Sequence, residues 1–134
     1  MMKTLTAAGA LAIALNAWAA DPDISKLPPA ATAKSVTYDK DIKPIFEKHC
    51  FKCHGAEKQK GKYRTDSLDA TLKGGGSDEK PIVIGNSAKS PLVHNIGYLI
   101  EDMEMPPPDK DGKPQKLSDA EIGLIRAWID QGAK

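Results

Sequence analysis

The sequence predicts a small all-α domain of three to five helices. Three observations carry that prediction. Apolar residues recur at i, i+3, i+4 and i+7 in several stretches. Those stretches begin and end at residues that cap helices. No stretch alternates apolar and polar residues with the period of two that a half-buried strand requires.

The first helix is expected from about Asp39 to Lys48, with Thr37 or Asp39 as N-cap. Ile42, Ile45, Phe46 and His49 share one face of it, and Pro44 sits early, where a missing N–H matters least. Residues 56–66 are polar and read as loop. Ser67 to Lys73 forms a short helix stopped by Gly74-Gly75-Gly76. Ile82-Val83-Ile84 is too short for a helix and is expected to lie extended over the central site.

Ser90-Pro91 opens another helix, with Leu92, Ile96 and Leu99 on one stripe and an end near Ile100. Met103 to Pro108 is a stiff extended loop, because each proline excludes the helical region for the residue before it. Ser118-Asp119-Ala120-Glu121 is a capping box. The last helix then runs to Gln131 with Gly132 as its C-cap, burying Ile122, Ile125, Trp128 and Ile129. Gly123 and Ala127 would let another helix come close.

The N-terminus divides into two parts. Residues 1–20 have the layout of a secretory signal peptide: Lys3, an uncharged Leu5–Leu15 stretch and the small-x-small site Ala17-Trp18-Ala19. Cleavage is expected after Ala19 or Ala20. The apolar stretch is short for a membrane span, so no stable membrane insertion is expected after cleavage. Residues 21–36 hold Pro22, Pro28 and Pro29 without periodicity, and read as a flexible lead or a strand-like wrap. Residues 37–134 form the domain.

Of 19 basic residues in the chain, loss of Lys3 leaves 18 against 18 acidic ones. A neutral chain gives no sign of nucleic-acid binding. Only 5% of residues are aromatic, lean for a domain near the size where a polypeptide core is marginal. An embedded apolar cofactor would enlarge that core.

Cys50-Phe51-Lys52-Cys53-His54 supplies the cofactor. C-x-x-C-H is the covalent haem attachment signature: two thiols on one turn reach two vinyl groups, and the next residue offers an imidazole to the iron. A disulfide or redox C-x-x-C has no need of His54. A zinc site would require two further closely spaced ligands, and His49 and His94 are badly placed.

With those residues in view, the chain resembles the class I c-type cytochromes, and within them the planctomycete-type cytochrome c domain. The resemblance covers about residues 37–134. It is carried by Pro44-Ile45-Phe46, His49 to Gly55, Ile82-Val83-Ile84-Gly85, Lys89-Ser90, Met105-Pro106-Pro107, Leu117 to Ile122, and Trp128 to Ala133. It implies a small cytochrome c fold around one covalently bound haem c, with first and last helices crossing. It also implies His54 below the iron, a Met above it, and electron transfer outside the cytoplasm.

The sixth ligand is expected to be Met105, which matches the family's Met-Pro position and is held extended by Pro106. Met103, two residues away, would point to the same side and is the competitor. His94 and His49 read as packed or surface residues. The expected cofactor-binding set is therefore Cys50, Cys53, His54 and Met105, with His54 and Met105 on the metal and no catalytic residue.

Phe46, Leu68, Leu72, Ile82, Leu92, Ile96 and Leu99 are the expected walls, with Tyr63 or Arg64 near a propionate. Lys48, Lys52, Lys58, Lys60 and Lys62 cluster near the attachment turn, where they would steer an acidic redox partner. The expected function is a periplasmic electron carrier exchanging electrons with donor and acceptor proteins. The alternatives are a gas-binding or sensing haem protein with a displaceable ligand, and a small peroxidase, for which no distal His/Arg pair is visible.

Overall fold

The computed structural model describes residues 21–134, so the signal segment read at residues 1–20 lies outside the described residues. Four α-helices occur among the described residues: α1 (Lys43–His49), α2 (Leu68–Lys73), α3 (Pro91–Ile96) and α4 (Asp119–Asp130). Among the described residues, pairing between extended segments is limited to one isolated bridge, His54 with Gln59. The described residues are all-α, as expected.

The core forms where α4 meets α1 and the turn before it. Along α4, Ile122, Ile125, Trp128 and Ile129 are completely buried. The capping box is formed: Ser118 Oγ accepts from the Glu121 N–H at 3.1 Å, and the Glu121 carboxylate accepts from the Ser118 N–H. Trp128 packs edge-on against Phe46 of α1, with ring centroids 6.2 Å apart, and both rings also contact Tyr38. Such aromatic pairs contribute about 0.5–1.5 kcal/mol each beyond their buried area. The expected meeting of first and last helices is made by Phe46–Trp128 and by an ion pair, His49 Nε2 to Glu121 Oε2 at 2.8 Å.

The first helical stretch is not uniform. Residues Tyr38–Ile42 form a wide π-type turn, and regular α-helix begins only at Lys43, with Pro44 in its first turn. Thr37 precedes the turn but caps it with no side-chain bond; its own N–H is held by Asp41 Oδ2 at 2.9 Å.

Residues 21–36 wrap over α4. Leu27 and Val36 are buried in the core. Ala31 N–H donates to the Gly123 carbonyl at 2.9 Å, and Gln131 grips the wrap through Ala33 O and Val36 N–H. The close approach at Gly123 is therefore made by this segment and not by a second helix: a Cβ there would sit 2.8 Å from Pro29 O.

α3 is shorter than its apolar stripe suggests. It stops at Ile96, and Tyr98 takes a left-handed φ of 57° that no helix continues through. The turn is fixed at a distance, because the Tyr98 hydroxyl donates to Pro106 O and accepts from the Gln115 N–H. Ser67 caps α2 as read, accepting from Ala70 N–H at 3.2 Å. Ser90 does not cap α3; its hydroxyl joins the 83–86 loop, accepting from Val83 N–H and donating to Asn86 O.

Candidate haem site

The attachment motif leaves α1 as a single tight turn. Cys53 and His54 N–H groups both donate to the Cys50 carbonyl, at 3.1 and 2.8 Å. Cys50 and Cys53 are unpaired and half-buried. Burial, reinforced by the nearby Cys53, pushes the Cys50 thiol up to about 12. Among the described residues no three His, Cys, Asp or Glu side chains converge as a metal-binding group.

His54 is oriented by the loop that follows it. Its Nδ1 lies 3.1 Å from the Tyr63 carbonyl. A carbonyl only accepts, so Nδ1 carries the proton and Nε2 keeps its lone pair for a metal. The Tyr63 ring lies against the imidazole at 5.6 Å between centroids. Buried Thr65 fixes the backbone, its N–H donating to His54 O at 2.8 Å, while its own carbonyl accepts from Tyr38 OH at 2.6 Å. Burial raises the Tyr63 phenol, with smaller contributions from Cys50 and Tyr38, so it stays a neutral donor, bonded to Thr71 O.

Cys50, His54, Met103 and Met105 line one cleft. Its cavity volume is about 200 Å³, and its mouth is open to solvent. Pro81, Pro91, Leu92, Asn95 and Ile96 form one wall, and Tyr63, Thr65, Gly75 and Gly76 another. The second wall depends on glycine: a Cβ on Gly75 would lie 2.4 Å from Gly61 O and 2.9 Å from Tyr63 Cβ. These residues fit a covalently held haem: two free thiols on one turn, an imidazole with its outer nitrogen free, and two thioethers lining the same space.

The loop bearing the methionines is anchored unevenly. Met105 N–H donates to the Asn95 carbonyl at 3.1 Å. Pro106, joined to it by a cis peptide, has its carbonyl held by Tyr98. Met103 N–H donates at 3.2 Å to Ile100, across an exposed turn.

Several expected walls lie elsewhere. Leu92 and Ile96 line the cleft, whereas Phe46 and Ile82 belong to the main core, and Leu68, Leu72 and Leu99 pack against it. Ile82-Val83-Ile84 does not cover the cleft; Ile82 turns into the core, while Val83 and Ile84 are exposed, because Gly85 N–H is bonded to Ile129 O of α4. The Arg64 guanidinium pairs with Asp66, at 2.9 and 2.5 Å, and the Tyr63 hydroxyl donates to Thr71 O. His94 bonds Ala88 O at 2.7 Å, away from the cleft lining.

Two residues were invisible from sequence. Asn95 stands in the cleft wall with its side-chain oxygen buried, and nothing in its local pattern separates it from a surface asparagine. Glu121 pairs with His49 across 72 residues, though the capping box alone accounted for it. Burial would raise the Glu121 carboxyl, but hydrogen bonds from His49 and from Ser118 outweigh it and hold the group below its usual value.

Residues 50–109 match the family model described as Planctomycete cytochrome C. Among curated proteins and solved structures, nothing matches the chain.

Proposed function

We propose, because residues 50–109 match the family model described as Planctomycete cytochrome C, that the chain is a single-haem electron carrier working outside the cytoplasm. His54 and Met105 are its axial ligands. The observation that carries this reading is the cleft that gathers Cys50, His54 and Met105, with His54 Nε2 left free by the Nδ1 bond to Tyr63.

A haem c, when bound, supplies an iron that takes up and gives back one electron, at a potential raised by a thioether ligand. Cys50 and Cys53 would hold it through two thioethers, and His54 Nε2 and Met105 Sδ would hold its iron. The Tyr63 carbonyl keeps the imidazole in one tautomer. Asn95 and Tyr98 keep the Met105 segment against the cleft through its backbone on either side. With His54 and Met105 both on the iron, no position would remain there for a substrate. Among the described residues, His54 is the one histidine lining the cleft, and no arginine lines it.

Lys48, Lys52, Lys58, Lys60 and Lys62 are all exposed near the attachment turn. They would steer a redox partner with an acidic face, strongly at low salt and weakly at high salt. Export rests on the signal-like residues 1–20. No helix among the described residues is long and apolar enough to cross a membrane.

A second reading, a gas-binding or sensing protein, is favoured by one observation: Met105 is 39% exposed and so could be displaced. A haem stain with stoichiometry, followed by redox titration and exposure of the reduced protein to carbon monoxide, separates the two. The carrier predicts one haem per chain, a one-electron wave, low-spin spectra in both states and slow carbon monoxide binding. A high-spin iron, rapid carbon monoxide binding or efficient peroxide turnover would contradict it.

A further inference from the structure

Gly75 also lines a second cavity, set between the 59–64 loop and the end of α2. It holds about 360 Å³ and opens to solvent. Small-molecule sites usually hold about 300–1,000 Å³. The lining is one-sided in charge: Lys62, Arg64 and Lys73 belong to it, and no carboxylate does. The electron-carrier reading makes no use of this space.

The backbone fixes the cavity. Gly76 N–H donates to Gly61 O at 2.8 Å and ties its two sides together. Gly75 packs so closely there that a Cβ would lie 2.4 Å from the same carbonyl. Gly61 and Lys62 both take left-handed φ values, 62° and 58°. Glycine does so freely, whereas few residues with a side chain do. The chain therefore bends sharply at a lysine that lines the cavity. Arg64 is held as well. Asp66 engages its Nε and Nη2, at 2.9 and 2.5 Å, which fixes the guanidinium plane and leaves Nη1 with no partner among the described residues. The Lys73 carbonyl at the end of α2 would repel an anion, and the Lys80 ammonium covers it at 2.9 Å.

Three cations around one cavity repel each other, and an anion that reaches all three relieves that repulsion. A single carboxylate would engage only part of the set. We infer that this cavity binds a small multivalent oxyanion, bridging Lys62, Lys73 and Arg64 Nη1. Diphosphates and tricarboxylates share that chemistry. The inference is independent of which methionine binds iron, because neither methionine lines the cavity.

The test uses the full protein with haem attached, at an ionic strength near 0.1 M, where surface charges are screened beyond about 10 Å. Inorganic pyrophosphate and citrate are titrated separately, by calorimetry and by amide shifts in the reduced protein. One ion is expected to bind per chain and to move the Gly74 and Gly75 amides. Lys73→Gln and Arg64→Gln are each expected to weaken binding about tenfold, the worth of one charge-assisted hydrogen bond. Lys73→Gln alone carries the test if Arg64→Gln, which also frees Asp66, disturbs the loop. Lys58→Gln and Lys60→Gln, at exposed lysines outside the lining, should leave the affinity nearly unchanged.

Binding of only one of the two ions supports the site and identifies which oxyanion chemistry it takes. No saturable binding of either ion would overturn the inference. Equal weakening by Lys58→Gln and Lys73→Gln would overturn it too, because it would mean a diffuse positive surface. Unchanged affinity in Lys73→Gln, with amide shifts away from the cavity, would contradict it as well.

Discussion

The two halves of this molecule are finished to different degrees. Around α4, the large side chains Trp128, Phe46, Ile122, Ile125 and Ile129 are completely buried, and the helix start is capped in both directions. Around the cleft, Met103 and Met105 are 49% and 39% exposed, and Asn95 carries a buried oxygen with no partner. The first region closes on polypeptide alone. The second presents the groups of a site whose remaining surface a cofactor would complete. The difference teaches where stability and chemistry reside: the scaffold fixes α1 and thereby the start of the attachment turn, and the cleft uses what the scaffold holds.

Changes that break the scaffold should be the largest in stability and the smallest in spectrum. Trp128→Ala removes the ring that Tyr38 and Phe46 pack on, and should cost about 3–5 kcal/mol in denaturant unfolding followed by circular dichroism. The surviving folded fraction should keep its visible spectrum. Gly123→Ala tests the wrap over α4. The new methyl would lie 2.8 Å from Pro29 O and strain the Ala31 to Gly123 bond, so a loss of about 1–3 kcal/mol is expected in the same assay.

The smallest effect concerns the ion pair between α1 and α4, His49–Glu121. The folded protein holds the Glu121 carboxyl below its usual 4.5. Beneath that pH the unfolded chain binds a proton there more readily than the folded chain does. The contribution is therefore complete above about pH 4.5 and disappears as pH falls through the lowered value. Glu121→Gln should flatten the acid side of a stability-against-pH curve, while the capping box survives because Gln serves at that position as Glu does. An acid limb unchanged by the substitution would show that the ion pair adds nothing to stability.

The same division governs what the sequence made legible. α4, its capping box and its buried stripe follow from local rules, as does the Ser67 cap of α2, because neighbours within four residues determine them. Cys50, Cys53 and His54 stand out in the sequence because the C-x-x-C-H spacing is local, and the structure holds them on one turn. The misreadings are all non-local. α3 ends early because Tyr98, in a left-handed turn, is tied to Pro106 and Gln115. Ile82 enters the core because the following residues are bonded to α4. Gly123 accepts a proline-bearing extended segment, which periodicity cannot distinguish from a helix partner. Asn95 was missed because an unpaired oxygen is a property of three-dimensional surroundings, and Gly75 read only as part of a helix stop although it also forms a cleft wall.

The central claim is that the cleft side supplies the iron's sixth ligand through the better anchored of its two methionines. The visible spectrum of the oxidised protein tests it in one comparison, Met105→Ala against Met103→Ala. The account predicts that the sulfur-to-iron charge-transfer band disappears in the first variant and persists in the second. A band that survives Met105→Ala, or vanishes only with Met103→Ala, would contradict it.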